Sequence, residues 1–275
     1  MAQMVGGFLI PHVPLIAARP DAPPQEKSER VHAAFREVTR RLAELEVDTI
    51  INIGDDHCGL FSPSCVPQCL IAIGDVDGPM EDWLRMERRP LATNQPLAEH
   101  IYARGIDDGV TWAFASSLTV DHATMIPFAY CYEALAGVRI IPAYLNEAVE
   151  PYISNRAARR VGASIRAAVD CWSGGERVAI VGTGGISHWV GMADMGRTNE
   201  AFDRGVIALV EEGDLDGLAA LEDATILADG GNGALEIKSW ICAMAAMPNA
   251  RGRLIAYENV PEWITGLGFA ELQAA

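Results

Sequence analysis

The chain has 275 residues, half of them hydrophobic and 21% charged, with a formal net charge of −16. That acidity excludes nucleic acid and anionic membrane surfaces as partners, since both require basic surface, and no run is long and apolar enough to span a bilayer. The length admits one large α/β domain or two small ones, and an anionic substrate would need a locally positive site such as a metal.

Six cysteines are scattered along the chain, and the one close pair, Cys65 and Cys69, has no second pair beside it. A structural zinc knuckle is therefore not expected. Reduced thiols and a cytoplasmic location are. The apolar N-terminus lacks a basic segment and is broken by Pro11, His12 and Pro14, so it reads as a first strand, not a signal peptide.

In chain order, the first predicted strand is Val5–Ile10, closed by the run PHVP. Prolines stop it from continuing as a helix, and a stiff turn suits a side chain held in advance for a metal. A core histidine bonded to a carbonyl is the alternative for His12. Pro20–Pro24 is a proline-rich loop. Val31, Phe35, Val38, Leu42 and Leu45 then recur at intervals of four and three, one apolar face of a long helix. Strand Thr49–Ile53 runs into GDDH, where an aspartate could orient His57 through its other ring nitrogen or cap a turn.

Cys69–Ile73 is the third strand. Asp75–Gln95, with Gly, Pro and mixed charge, is an excursion or lid near the site. Strands Val110–Ala115 and Val138–Tyr144 flank Asp121 and His122, the latter either a functional group or a buried polar residue of a loop. Val161, Ile165, Ala168 and Trp172 repeat the helical pattern. Strand Val178–Val181 leads into GTGGISH, which fits neither GxGxxG nor the P-loop pattern, so nucleotide binding carries little weight. Its glycines would let a ligand approach the backbone beside His188.

Ala201–Val210 and the stretch after Gly233 are further helices, and Arg253–Tyr257 is the last predicted strand. Glu236 lies among Ala234, Leu235 and Ile237, where a carboxylate is costly unless paired or ligated. An ordinary first-turn glutamate favoured by the helix dipole is the plainer account. His32 and His100 lie on amphipathic helices and receive no role.

Strand–helix alternation of this kind predicts a sheet covered by helices on both faces. His12, His57, His122 and His188 all end apolar stretches. Ligands bind outside the carboxyl ends of strands in such sheets, so the four are expected to converge on one site, which a metal could hold together.

The order PHVP, GDDH, DH, GTGGISH, GNGALE resembles the catalytic subunit of class III, protocatechuate 4,5-dioxygenase-like extradiol ring-cleavage dioxygenases, from about Val5 to Gly268. The resemblance implies a three-layer α/β/α sandwich around a mixed sheet, as one catalytic domain over residues 1–275. It implies that His12, His57 and Glu236 bind Fe(II), that His188 is the acid/base, that His122 lines the pocket, and that Asp56 orients His57. The implied reaction inserts both atoms of O2 into a catecholic or hydroxypyridone-like ring. A homo- or hetero-oligomer is expected. No fused helical module is expected after Gly268, so a lid would come from a separate small helical subunit, a symmetry mate or the Asp75–Gln95 excursion. The competing readings are a zinc-dependent hydrolase or lyase and a non-enzymatic binding protein on the same fold.

Overall fold

The computed structural model describes residues 1–274. Nine strands form one mixed sheet: β1 (Gln3–Ile10), β2 (Thr49–Asp55), β3 (Cys69–Gly78), β4 (Arg89–Leu91), β5 (Trp112–Thr119), β6 (Arg139–Leu145), β7 (Arg177–Thr183), β8 (Ala250–Val260) and β9 (Thr265–Ala274). Their order is β4-β3-β6-β2-β7-β1-β9-β8, with β5 also paired to β3. The central four, β6, β2, β7 and β1, run parallel, so their carboxyl ends open on the same edge. β9 joins β1 antiparallel, and β3 joins β6 antiparallel.

Both faces of the central strands are apolar, and the pleat sends alternate residues to opposite sides. Leu9, Ile51, Ile53 and Ile180 pack under α3 (Gln95–Asp107), α5 (Asn155–Cys171) and α9 (Ile237–Ala246). Phe8, Ile10, Ile50 and Val181 pack under α2 (Gln25–Glu44) and α4 (His122–Pro127). The periodic set Val31, Phe35, Val38 and Leu42 is the buried face of α2. Each such fully buried side chain contributes roughly 1.5–3 kcal/mol of transfer free energy. The result is the expected three-layer α/β/α arrangement. The remaining helices are α1 (Leu15–Ala18), α6 (Glu200–Glu212), α7 (Leu215–Ala219) and α8 (Asp223–Asp229).

Side-chain caps set several helix starts: Asn94 accepts from the Leu97 N–H, Ser154 from Ala157 and Asn199 from Phe202. Two strands were not expected from sequence. β4 is three residues long, and β9 carries Gly266, Gly268 and the buried Glu271. Those glycines are steric necessities: a Cβ on Gly266 would lie 1.9 Å from Asp203 Oδ2, and one on Gly268 2.8 Å from Trp240. Asp75–Gln95 is only partly an excursion. Asp75–Gly78 completes β3 and Arg89–Leu91 forms β4, so what projects is the short segment between them, with a 3-10 turn at Asp82–Leu84.

Candidate metal centre and active site

The carboxyl ends of the four central parallel strands deliver most of the site. His12 follows β1, Asp55 ends β2 with His57 just beyond it, Glu147 follows β6, and Gly185 and His188 follow β7. Glu236 comes from outside the sheet, at the close of a 3-10 turn (Gly233–Glu236) that leads into α9. α9 is buried at every position, so the turn is held against the sheet and its carboxylate is aimed at the strand ends.

His12 is buried, and its Nδ1 lies 3.0 Å from Thr183 Oγ1. The Thr183 hydroxyl donates to the Ile53 carbonyl at 2.9 Å, so towards His12 its oxygen accepts. Nδ1 therefore carries the proton and Nε2 presents a lone pair. That Nε2 is buried without a hydrogen-bond partner, and so is Asp55 Oδ1. Both face one point. His12 Nε2 is 3.3 Å from Glu236 Oε2 and 3.8 Å from Asp55 Oδ1; His57 Nε2 is 3.5 Å from Asp55 Oδ1 and 3.6 Å from Glu236 Oε1. Unpaired buried polar atoms are rare because each is costly. Two imidazole nitrogens and two carboxylate groups converging this closely fit a divalent metal ion.

Asp56, expected to orient His57, does not do so. Its carboxylate accepts the backbone N–H groups of Gly59, Leu60 and Phe61 and so caps the loop after β2. The carboxylate on His57 is Asp121, whose Oδ2 lies 2.9 Å from Nδ1 and also accepts the His57 backbone N–H. Tyr144 donates to the other Asp121 oxygen at 3.1 Å. Asp121 stands next to His122 in sequence, so its pairing with His57 arises only when β5 and β2 are brought together.

His122 makes an analogous pair, with Nδ1 2.6 Å from Glu81 Oε1. Glu81 belongs to the segment between β3 and β4. His188 donates from Nδ1 to the Ile186 carbonyl at 3.2 Å, and its Nε2 lies 3.2 Å from Glu236 Oε1. Glu236 Oε2 accepts the Gly185 N–H at 2.6 Å. The glycines of this region make room. A Cβ on Gly233 would sit 2.1 Å from His188 Nε2, and one on Gly184, whose φ is +155°, 2.5 Å from the Glu236 Cβ. The loop after β7 is pinned by Asp203, which accepts the Ser187 N–H and the Tyr257 hydroxyl.

The electrostatics follow from crowding charge into a dry site. Burial pushes the Asp55 carboxyl up to about 6 against the pull of His57. Burial alone would favour neutral His57, but the Asp55 charge and the Asp121 hydrogen bond outweigh it and hold its pKa well above the ordinary value. Burial is likewise outweighed at His188, raised by Glu236, but prevails at His122, lowered further by the neighbouring His57 charge. Burial also keeps Glu147 well above the carboxylate range.

Two cavities meet at this centre. One of about 300 Å³ is bounded by His12, His57, His122, His188 and Glu236 on its inner side and by Val13, Leu15, Trp83, Met195 and Ile264 outward. Another of about 210 Å³ lies between Asp55, Glu147, Cys58, Tyr152 and Asn232. His57, Val190 and Glu236 border both. The four histidines predicted to converge thus line one cavity together with Glu236. Asp55, Asp121, Glu81, Thr183 and Glu147 were not singled out as site residues from sequence. A partial signal existed for Asp55 and Asp121, each within two residues of a chosen histidine.

A buried imidazole–carboxylate cluster at the ends of parallel strands, beside an apolar cavity, is the arrangement of a metalloenzyme that works on a small, largely apolar molecule. Residues 6–268 match the family described as the catalytic LigB subunit of aromatic ring-opening dioxygenases, and the chain belongs to that family. It is thus placed among the extradiol ring-cleavage dioxygenases of aromatic degradation. Among its relatives are proteins named 2,3-dihydroxyphenylpropionate/2,3-dihydroxicinnamic acid 1,2-dioxygenase. The one from Rhodococcus sp is 25% identical over 94% of both chains, and that from Cupriavidus necator 26% over 90% of both. A crystal structure of an uncharacterized Escherichia coli K12 protein shares the fold, with a TM-score of 0.55 at 9% identity, covering 98% of this chain and 100% of that one. No helix among the described residues is long and apolar enough to cross a membrane.

Proposed function

We propose that this chain is a non-haem Fe(II) extradiol dioxygenase that opens a catechol-type ring beside, not between, its two oxygen-bearing carbons. The observation that carries the reading is the pair of orphaned buried atoms, His12 Nε2 and Asp55 Oδ1, facing His57 and Glu236 next to an apolar cavity that His122 and His188 also line. His12, His57 and Glu236 would hold the metal, with Asp55 adjoining. Bound there, ferrous iron supplies a Lewis acid for the diol oxygens and a redox partner for O2.

The chain's own residues supply the rest. Thr183 and Asp121 fix the His12 and His57 rings, so that each presents Nε2 inward. The apolar walls exclude water from an aromatic ring and hold it in one orientation, which lowers the entropic part of the barrier. His188 at the cavity wall takes the proton of a diol hydroxyl and returns it later. His122, braced by Glu81, offers its other nitrogen to the cavity as a hydrogen-bond partner.

The test is anaerobic reconstitution with Fe(II), followed by oxygen-electrode traces against a panel of catechols. Uptake matched one-to-one by ring-opened product is expected; iron binding without uptake on any catechol would overturn the reading. A second reading, a zinc-dependent hydrolase, is favoured by one observation. The two imidazole nitrogens lie 3.3–3.8 Å from Asp55 Oδ1 and from one or the other oxygen of Glu236, near the ~3.4 Å edge of a tetrahedron with ~2.1 Å bonds. Oxygen consumption separates the two, since a hydrolase uses none.

A further inference from the structure

The cavity of about 300 Å³ is divided by chemistry. All its ionisable groups, the four histidines and Glu236, lie on the metal side. The outer part is made by Val13, Leu15, Trp83, Met195 and Ile264, and among the described residues no lysine or arginine lines it. Trp83 and Met195 are 52% and 54% exposed at the mouth, so the rim is apolar as well.

Two donors of the lining are already committed. Thr265 donates its hydroxyl proton to the Gly266 carbonyl, and the Gly185 N–H is given to Glu236. Several cations of the neighbouring segments are engaged elsewhere: Arg197 lies over the Trp189 ring and pairs with Asp194, Arg88 pairs with Asp77, and Lys27 donates to the Asn259 carbonyl. Arg19 and Arg85 are exposed and lie outside the cavity lining. The second cavity sets three carboxyl groups, Asp55, Glu147 and Glu236, against a substrate anion.

A carboxylate brought into the outer part of this space would lose its hydration without meeting a lysine or arginine in the lining. It would also approach a centre already rich in carboxylates, in a chain of net charge −16. A neutral apolar substituent would instead exchange water for the Trp83, Leu15 and Ile264 side chains. The volume is at the small end for ligand pockets, which suits one ring with a short substituent.

We infer that this site takes catechols carrying a short, neutral, apolar substituent and discriminates against those carrying a carboxylate. The inference rests on the ring-cleavage reading. It sets this chain apart from the relatives named above, whose names specify a propionate or a cinnamic acid.

The test compares a pair matched in length, 3-propylcatechol and 3-(2,3-dihydroxyphenyl)propionate, on the Fe(II)-reconstituted full chain. The neutral member is expected to have the higher kcat/KM by about 30-fold or more, corresponding to about 2 kcal/mol, within the range for burying an uncompensated polar group. Met195→Arg should shift the ratio towards the carboxylate by about tenfold. A parallel measurement needs neither metal nor turnover: quenching of tryptophan fluorescence in the metal-free protein by 3-phenylpropanol and by 3-phenylpropionate, with Trp83→Phe as the control. The alcohol is expected to bind more tightly.

Equal or greater kcat/KM for the carboxylate, with ring opening observed, would overturn this inference and leave the dioxygenase reading standing. No oxygen uptake with either catechol would overturn the dioxygenase reading. The fluorescence pair would then decide the preference of the cavity: tighter binding of the alcohol supports it, and tighter binding of the carboxylate overturns it.

Discussion

His57 Nδ1 lies 2.9 Å from Asp121 Oδ2, although the two residues are 64 positions apart. The bond fixes which imidazole nitrogen faces the cluster, and Tyr144 holds the carboxylate from behind. Asp121→Asn is expected to weaken divalent-metal affinity by roughly 10–100-fold, the usual cost of losing a partner behind a ligand, with the fold retained. Competition titration with Co(II) against a chelating dye measures this. Unchanged affinity would show that His57 is held by its backbone alone.

Removing a ligand and removing the acid/base group should have separable effects. His12→Ala, His57→Ala and Glu236→Ala are expected to lose bound iron and activity together. His188→Ala is expected to retain iron while turnover falls by about 10²–10⁴-fold. Metal analysis of the purified variants decides it, and stoichiometric iron in Glu236→Ala would refute the ligand assignment.

Gly233 carries no functional group, yet a Cβ there would lie 2.1 Å from His188 Nε2. Gly233→Ala is expected to displace the imidazole and lower turnover on the order of 10²-fold, as small misplacements of reacting groups do. Iron content and melting temperature should stay close to those of the parent chain. A variant with normal turnover would mean that His188 has another productive rotamer.

The buried Glu271 tests the frame, not the site. Burial opposes its ionisation, but hydrogen bonds from Arg41 and Arg253 prevail and hold its pKa below the usual value. A carboxyl depressed in the folded state stabilises the fold above its unfolded pKa of ~4.3, and that contribution is lost as pH falls through the lower folded value. Glu271→Gln is therefore expected to cost about 1–2 kcal/mol at pH 7 and to flatten the acid limb of the stability curve. Urea melts between pH 7 and pH 3 measure both.

The residues that sequence exposed best are those whose chemistry is unusual for their surroundings. Four histidines at strand ends and a glutamate among apolar neighbours stood out because polar groups are scarce there, and the strands leading to them were legible as short Val- and Ile-rich runs. What stayed hidden depends on distant pairing. Asp121 looked like a neighbour of His122 but serves His57, Asp56 looked like a partner of His57 but caps a turn, and Glu81 reaches His122 from the segment read as an excursion or lid, where no single residue stood out. β9 was obscured because Gly266, Gly268 and Glu271 break the apolar alternation of a strand. Its glycines answer to Asp203 and Trp240, and its glutamate to Arg41 and Arg253, none of them near in sequence.

Thr183 has a consequence of a different kind. Its oxygen meets the Ile53 carbonyl, the Ala123 carbonyl and His12 Nδ1, so the position of one hydrogen is dictated by the strand lattice. Valine has nearly the same shape and would fill the same space. In this sheet, however, the exchange would release the His12 tautomer from its control, so an alteration that packing tolerates would still change the chemistry. Drift at such a position is limited by proton count, not by volume.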